Sequence, residues 1–134
     1  MNTFHWPARV YYEDTDAGGV VYYANYLRFL ERARTEWFRA RGHNQPELAV
    51  DPGVLFAVAE VNVRYRRPAR LDDLLVISCD AARAGAASVV FNQQIRRSRE
   101  DGELLAEATV RVVCVDATGF QPRRLPPQIL GELQ

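Results

Sequence analysis

Lysine is absent from this 134-residue chain, and all 17 of its basic side chains are arginine. Chemistry that needs a lysine is thereby excluded, Schiff-base formation and the phosphate-loop lysine among it. Histidine is scarce, with only His5 and His43, and cysteine is limited to Cys79 and Cys114. Two cysteines and two isolated histidines do not make up a zinc set, so no metal site is expected. Both cysteines sit in apolar, strand-like runs and read as buried free thiols in a reducing compartment. Charge bias is missing too. The arginines are balanced by 17 acidic residues, and RYRRPAR at 64–70 is the one basic stretch, so nucleic-acid binding is not expected. No run reaches the roughly 18 apolar residues of a membrane-spanning helix. The N-terminus has no apolar core segment of the secretory type. The expectation is a cytoplasmic protein without a cofactor.

What is present fits one domain over residues 1–134. A hydrophobic share of 48% with 25% charged residues is that of an ordinary globular protein. Residues 4–12 read as a first strand, with Pro7 placing it at an edge or a bulge. The acid-rich EDTDAGG at 13–19 is loop. Tyr26, Leu30, Ala33, Trp37 and Ala40 then recur at helical spacing, which predicts one long helix over 22–41 that stops at Gly42. Past a segment at 43–53 that reads as loop, with room for a short helical turn, the period changes to two. Strands are predicted at 54–67, 73–82, 88–97 and 104–115, with a hairpin turn at Glu100-Asp101-Gly102 and a last helical turn near 128–133. The expected fold is α+β: an antiparallel five-stranded sheet wrapped around one central helix, the last four strands forming a meander.

The chemistry concentrates in RVYYEDTDAGGVVYYANYLRFLERARTE, residues 9–36. Three acids precede two glycines and the helix start. Gly18 and Gly19 allow close backbone approach to a ligand. A helix start presents unpaired N–H groups that can hold a developing oxyanion. A neighbouring carboxylate can attack a carbonyl or activate water. The residues alone leave two readings open. Asp14, Thr15 and Asp16 either cap the helix and build the turn, or they contribute to an acyl-transfer site. Glu31, Arg34 and Thr35, at i, i+3 and i+4, read as a structural ion-pair set.

The pieces RVYYEDTDAGGVVY, NYLRFLERARTE, YRRPARLDDLL, VVCVD and PRRLP, in this order, resemble the 4-hydroxybenzoyl-CoA thioesterase family over nearly the whole chain. The resemblance is closest to its branch of small acyl-CoA thioesterases encoded with the bacterial Tol-Pal envelope system. It implies the hotdog fold, with Asp16, the second Asp of the DTD triplet, as the catalytic carboxylate. It implies that the thioester oxygen is held by the backbone N–H of Tyr23. From the residues themselves, Gly18 and Gly19 are substrate-side candidates, Tyr22 lines either the pocket or the core, and Asn25 either bonds the site loop or stabilises the first helical turn. The resemblance also implies a site between two subunits of a homodimer, often paired into a homotetramer. That branch often has a histidine where this chain has Tyr23; a main-chain role survives the change and an imidazole role does not. Coenzyme A carries phosphates, and Arg123 and Arg124, in a proline-stiffened tail, are the preferred rim arginines.

The expected activity is therefore hydrolysis of acyl-CoA to free acid and coenzyme A, or of an acyl group on acyl carrier protein. A dehydratase of the same fold would need a loop histidine with a helix acid, and neither His5 nor His43 precedes the helix in the right place. A non-catalytic thioester-binding or scaffold protein at the cell envelope is the remaining alternative.

Overall fold

The computed structural model describes residues 3–133. Five strands form one antiparallel sheet: β1 (Phe4–Arg9), β2 (Val54–Tyr65), β3 (Leu74–Arg83), β4 (Ser88–Arg97) and β5 (Leu104–Asp116). The helix α1 (Tyr26–Ala40) packs on it, and two short helices follow, α2 (Gln45–Val50) and α3 (Pro127–Leu130). The order across the sheet is β1-β3-β4-β5-β2. The architecture is the hotdog fold expected from the sequence.

The four-strand meander is corrected. Only β3, β4 and β5 follow one another as neighbours; β2 crosses to the far side and pairs with β5. Strand alternation reveals which side of a strand is apolar, but not which partner it chooses. Boundaries also moved inward: β1 ends at Arg9, and Tyr12–Asp14 turns into a short 3-10 helix. The first helical turn, Tyr23–Asn25, is 3-10 as well, before α1 proper begins at Tyr26.

One face of the sheet is buried because β3 and β4 alternate, as does β5 between its ends, where Leu105 and Val115 are buried as well. Leu75, Ile77, Cys79 and Ala81 face α1, as do Val89, Phe91 and Ile95, and Ala106, Ala108, Val110, Val112 and Cys114. From α1, Tyr26, Phe29, Leu30, Ala33, Trp37 and Phe38 meet them at helical spacing. Ala33 is fully buried, and its small side chain lets the helix lie close to the strands.

Both cysteines are free and buried. Burial pushes the Cys79 thiol up to about 12, with Arg34 pulling weakly the other way. At pH 8 roughly one such thiol in ten thousand is ionised, and the thiolate is the reactive form. Cys79 is thus expected to resist alkylation in the native protein and to react on unfolding. Labelling followed by peptide mapping checks this, and fast native labelling of Cys79 would contradict the packing.

Candidate functional site

Residues 14–22 form a miniature two-stranded turn. Thr15 bridges Val21, the Asp16 N–H donates to the Val20 carbonyl at 3.0 Å, and the Tyr22 N–H donates to the Asp14 carbonyl at 3.0 Å. The tip closes where the Gly19 N–H reaches the Asp16 carbonyl at 3.0 Å, with Gly19 at φ +79°, a region that favours glycine. Asp16 Oδ1 accepts from the Gly18 N–H at 2.8 Å, which fixes the carboxylate beside the tip. A Cβ at Gly18 would stand 3.2 Å from that same oxygen, so glycine leaves the carboxylate room.

The unit is anchored to the fold on both flanks. The Val21 N–H donates to the Ala69 carbonyl at 2.8 Å, and Val20 bridges Arg70. Asp14 is buried, and its Oδ2 accepts from the Tyr11 N–H at 2.8 Å. Its carbonyl also accepts from Asn25 Nδ2 at 2.9 Å, which ties the turn to the helix start. Asp14, Thr15 and Asp16 therefore build the turn, and none of them caps α1.

Behind the turn the chain enters the 3-10 segment Tyr23–Asn25. Its Asn25 N–H donates to the Tyr22 carbonyl, whereas the N–H groups of Tyr23 and Ala24 have no acceptor among the described residues. Tyr65, at the end of β2, donates its hydroxyl to the Tyr23 carbonyl at 2.9 Å and packs edge-on to Tyr26. Tyr26 in turn accepts from the Ala69 N–H at 3.0 Å. Sequence reasoning assigned Tyr65 no part at the site. Its signal was present as the third inward position after Val61 and Val63, where another apolar side chain would serve packing equally well.

Six of the expected site residues, Asp16, Gly18, Gly19, Tyr22, Tyr23 and Asn25, thus stand in one unit. Asp16 is exposed, and Tyr22 and Tyr23 keep 45% and 63% of their surface in solvent. Arg123 and Arg124 are elsewhere in the chain. Arg123 donates to the carbonyls of Pro52 and Gly53 and to Asp116 Oδ1, at 3.4, 3.3 and 3.2 Å. The Gly119 N–H, then the Arg123 side chain, hold the Asp116 carboxyl below its ordinary range. Both arginines line a cavity of about 350 Å³ together with Arg83, Pro52, Val54 and Leu125. Arg83 was not singled out in the sequence. This cavity flanks the start of β2, whereas Tyr23 is tied to its end; twelve strand residues at about 3.3 Å each put them roughly 35–40 Å apart within one chain.

The Glu31–Arg34 ion pair is corrected as well. Glu31 accepts from the Thr35 hydroxyl, while Arg34 turns under the helix and donates from Nη1 to Gln93 Oε1 at 3.1 Å. Gln93 Nε2 passes on to the Leu30 carbonyl at 3.0 Å. Among the described residues no helix is long and apolar enough to cross a membrane.

The sequence and the fold are similar to those of known proteins. The chain is 48% identical to the acyl-CoA thioester hydrolase YbgC of Escherichia coli O6:H1, over all of this chain and 99% of that protein. It is 41% identical to the acyl-CoA thioesterase YbgC of Haemophilus influenzae, over 96% and 92% of the two chains. A probable thioesterase from Bartonella henselae superposes with a TM-score of 0.86 at 36% identity, covering 93% of this chain and all of that one. Residues 10–133 match the thioesterase-like superfamily, and the chain belongs to it.

Proposed function

We propose that the protein hydrolyses acyl-CoA thioesters, with Asp16 as the reacting carboxylate and the Tyr23 N–H as oxyanion donor. One observation carries the reading: a carboxylate held at a glycine turn is followed within one segment by a helix start whose first N–H groups are unpaired. That is a base or nucleophile beside a preorganised donor, the minimal pair for acyl transfer. In the general-base form, Asp16 takes a proton from water as the water oxygen bonds to the thioester carbon. The carbonyl oxygen becomes an oxyanion facing the Tyr23 N–H. Collapse breaks the C–S bond, and the proton passes from Asp16 to the departing thiolate. In the nucleophilic form, an Asp16 oxygen bonds to that carbon, the thiolate leaves, and water cleaves the resulting anhydride. Label in Asp16 after one turnover in ¹⁸O-labelled water identifies the anhydride route, with water attacking the Asp16 carbonyl.

The site is open in a single chain, and a homodimer joined through β2 supports water exclusion there. β2 is a twelve-residue edge strand whose outer side has no neighbour in the sheet. Such an edge invites antiparallel pairing with a copy of itself. Pairing about its exposed middle, Val58 to Asn62, carries the start of each β2 to the end of the other. The arginine cavity of one subunit then meets the Tyr23 end of its partner, and Arg83, Arg123 and Arg124 can receive the phosphates of coenzyme A.

Thiol release from short, long and aromatic acyl-CoAs tests the activity; folded protein that turns over none of them overturns it for these substrates. Tyr23 supplies its main chain only, so Tyr23→Phe is expected to keep kcat within a few-fold of wild type. A collapse in that variant would assign the phenol a chemical part instead.

A further inference from the structure

The two unpaired N–H groups of the Tyr23–Asn25 segment belong to successive peptide groups, and each group is held from its carbonyl side. The Tyr23 N–H shares a peptide with the Tyr22 carbonyl, which accepts from the Asn25 N–H at 2.8 Å. The Ala24 N–H shares a peptide with the Tyr23 carbonyl, which accepts from the Tyr26 N–H and also from the Tyr65 hydroxyl at 2.9 Å. The first peptide is therefore fixed by the turn itself. The second is fixed in addition by a side chain 42 residues away, at the end of β2.

Packing does not require that hydroxyl. The Tyr65 ring meets Tyr26 edge-on at 5.1 Å and Tyr23 edge-on at 6.3 Å, contacts that a phenylalanine would keep. Tyr65 is 46% exposed, so its hydroxyl has water within reach, yet it is aimed at a main-chain carbonyl that already has a donor in the Tyr26 N–H. Desolvation, then the neighbouring Tyr26 and Tyr23 phenols, hold the Tyr65 phenol above its ordinary range, so at neutral pH it is a neutral donor.

A bond accepted at a peptide oxygen draws electron density from the nitrogen of the same peptide, and its N–H becomes a stronger donor. The bond also fixes the peptide plane, and with it the direction of that N–H. Successive N–H groups at a helix start point the same way along the axis, where they can share one anionic oxygen. Donors already aimed before the charge develops are worth the most to a reaction, because nothing has to reorganise.

We propose that Tyr65 is a positioning residue for the oxyanion donors: its hydroxyl sets the peptide between Tyr23 and Ala24, so that the Ala24 N–H joins the Tyr23 N–H on the thioester oxygen. This rests on the hydrolytic reading above and adds to it a second donor and its support from β2. Tyr65 itself touches no reacting atom.

Tyr65→Phe tests it, with circular dichroism and denaturant unfolding confirming the fold. The variant removes one oxygen and keeps the ring. Its kcat for thiol release is expected to fall about 10-fold with KM within about two-fold, because the loss falls on the transition state. A second readout is the infrared carbonyl stretch of non-hydrolysable ketone analogues of short, long and aromatic acyl-CoAs, ¹³C-labelled at the carbonyl. Binding to wild type is expected to lower the frequency, and Tyr65→Phe to give back part of that shift. A role in packing alone would change stability and leave the carbonyl untouched. A ring-fluorinated tyrosine introduced at position 65 keeps the hydroxyl and is expected to retain the wild-type kcat and shift. Should Tyr65→Phe fail to fold, the fluorinated protein carries the test: its hydroxyl ionises at lower pH, and the alkaline fall in kcat and in the carbonyl shift should move down with it. A folded Tyr65→Phe with wild-type kcat, a loss confined to KM, equal shifts in both proteins, no shift in wild type, or a fluorinated protein with an unmoved alkaline limb would overturn the proposal. Wild type that turns over no acyl-CoA would instead sink the hydrolytic reading, while the carbonyl shift still decides whether Tyr65 acts on the donors.

Discussion

Asp16→Asn is expected to lower kcat for thiol release by about 10²-fold or more, a loss of about 2.7 kcal/mol of transition-state stabilisation. The substitution is close to a pure test of chemistry. Asparagine retains an Oδ1 that can accept the Gly18 N–H, and the side chain is exposed, so the turn and the fold have no reason to change. What is lost is the negative charge that either attacks the thioester carbon or removes a proton from water. KM should move far less than kcat, because the contacts to the rest of the substrate remain. Equal rates in wild type and variant would remove Asp16 from the reaction and leave the turn as a binding element. A variant that turns nothing over but still binds a non-hydrolysable acyl-CoA with wild-type affinity would place the carboxylate in the chemical step alone.

How much of this was legible before the structure depends on the range of the interaction. The helix and all five strands follow from local periodicity, and their bounds were right to within a few residues. The turn was legible as a turn, since EDTDAGG has few other uses. What the turn does with its acids was not. Asp16 takes the N–H two residues on, and Asp14 buries itself under Tyr11, although either could have capped the helix at the same sequence distance. Sheet order failed for a similar reason. β2 passes its nearest neighbour in sequence, β3, to pair with β5, a choice between distant partners that strand periodicity does not encode. Arg34 shows a third limit. Its spacing from Glu31 suits an ion pair, but its long apolar stem gains more by lying under the helix, and the charge is carried to Gln93.

The arginine cavity and the Tyr23 turn lie apart in one chain, and the proposed assembly is what would join them. Arg123 is fixed to the carbonyls at the start of β2, and Tyr23 to the hydroxyl at its end. The two attachments stand at opposite ends of the same twelve-residue strand. In the homodimer proposed above, an antiparallel neighbour at the β2 edge would bring them together, because it reverses the strand. The same pairing would set a second chain against Val58 and Val61, which are 49% and 39% exposed.

Trp37→Ala should have the largest effect on stability, about 3–5 kcal/mol, against a typical total of roughly 5–15 kcal/mol for a domain. Trp37 is 2% exposed, in the last turn of α1 and against Phe91 of the sheet. Its ring stands edge-on to Phe38 at 5.1 Å and to Phe91 at 5.4 Å, and the Arg41 guanidinium lies over it at 4.2 Å. Truncation removes the apolar burial, both aromatic contacts and the cation's partner at once, and leaves a cavity that neighbours on a rigid sheet can only partly fill. Denaturant unfolding measures the loss, and Trp37→Phe should lose less because it keeps a ring there. The consequence for catalysis differs in kind from that of Asp16→Asn. Trp37 lies about three turns along α1 from the site, while Asn25, Tyr26 and Tyr65 hold the helix start independently. At low temperature, where Trp37→Ala is still folded, its kcat should therefore stay near wild type, and its activity should vanish together with its helical signal on warming. A fall in kcat in the folded variant comparable to that of Asp16→Asn would mean that the position of the helix start is set by the core packing, and that the ties to Asp14, Ala69 and Tyr65 do not suffice to hold it.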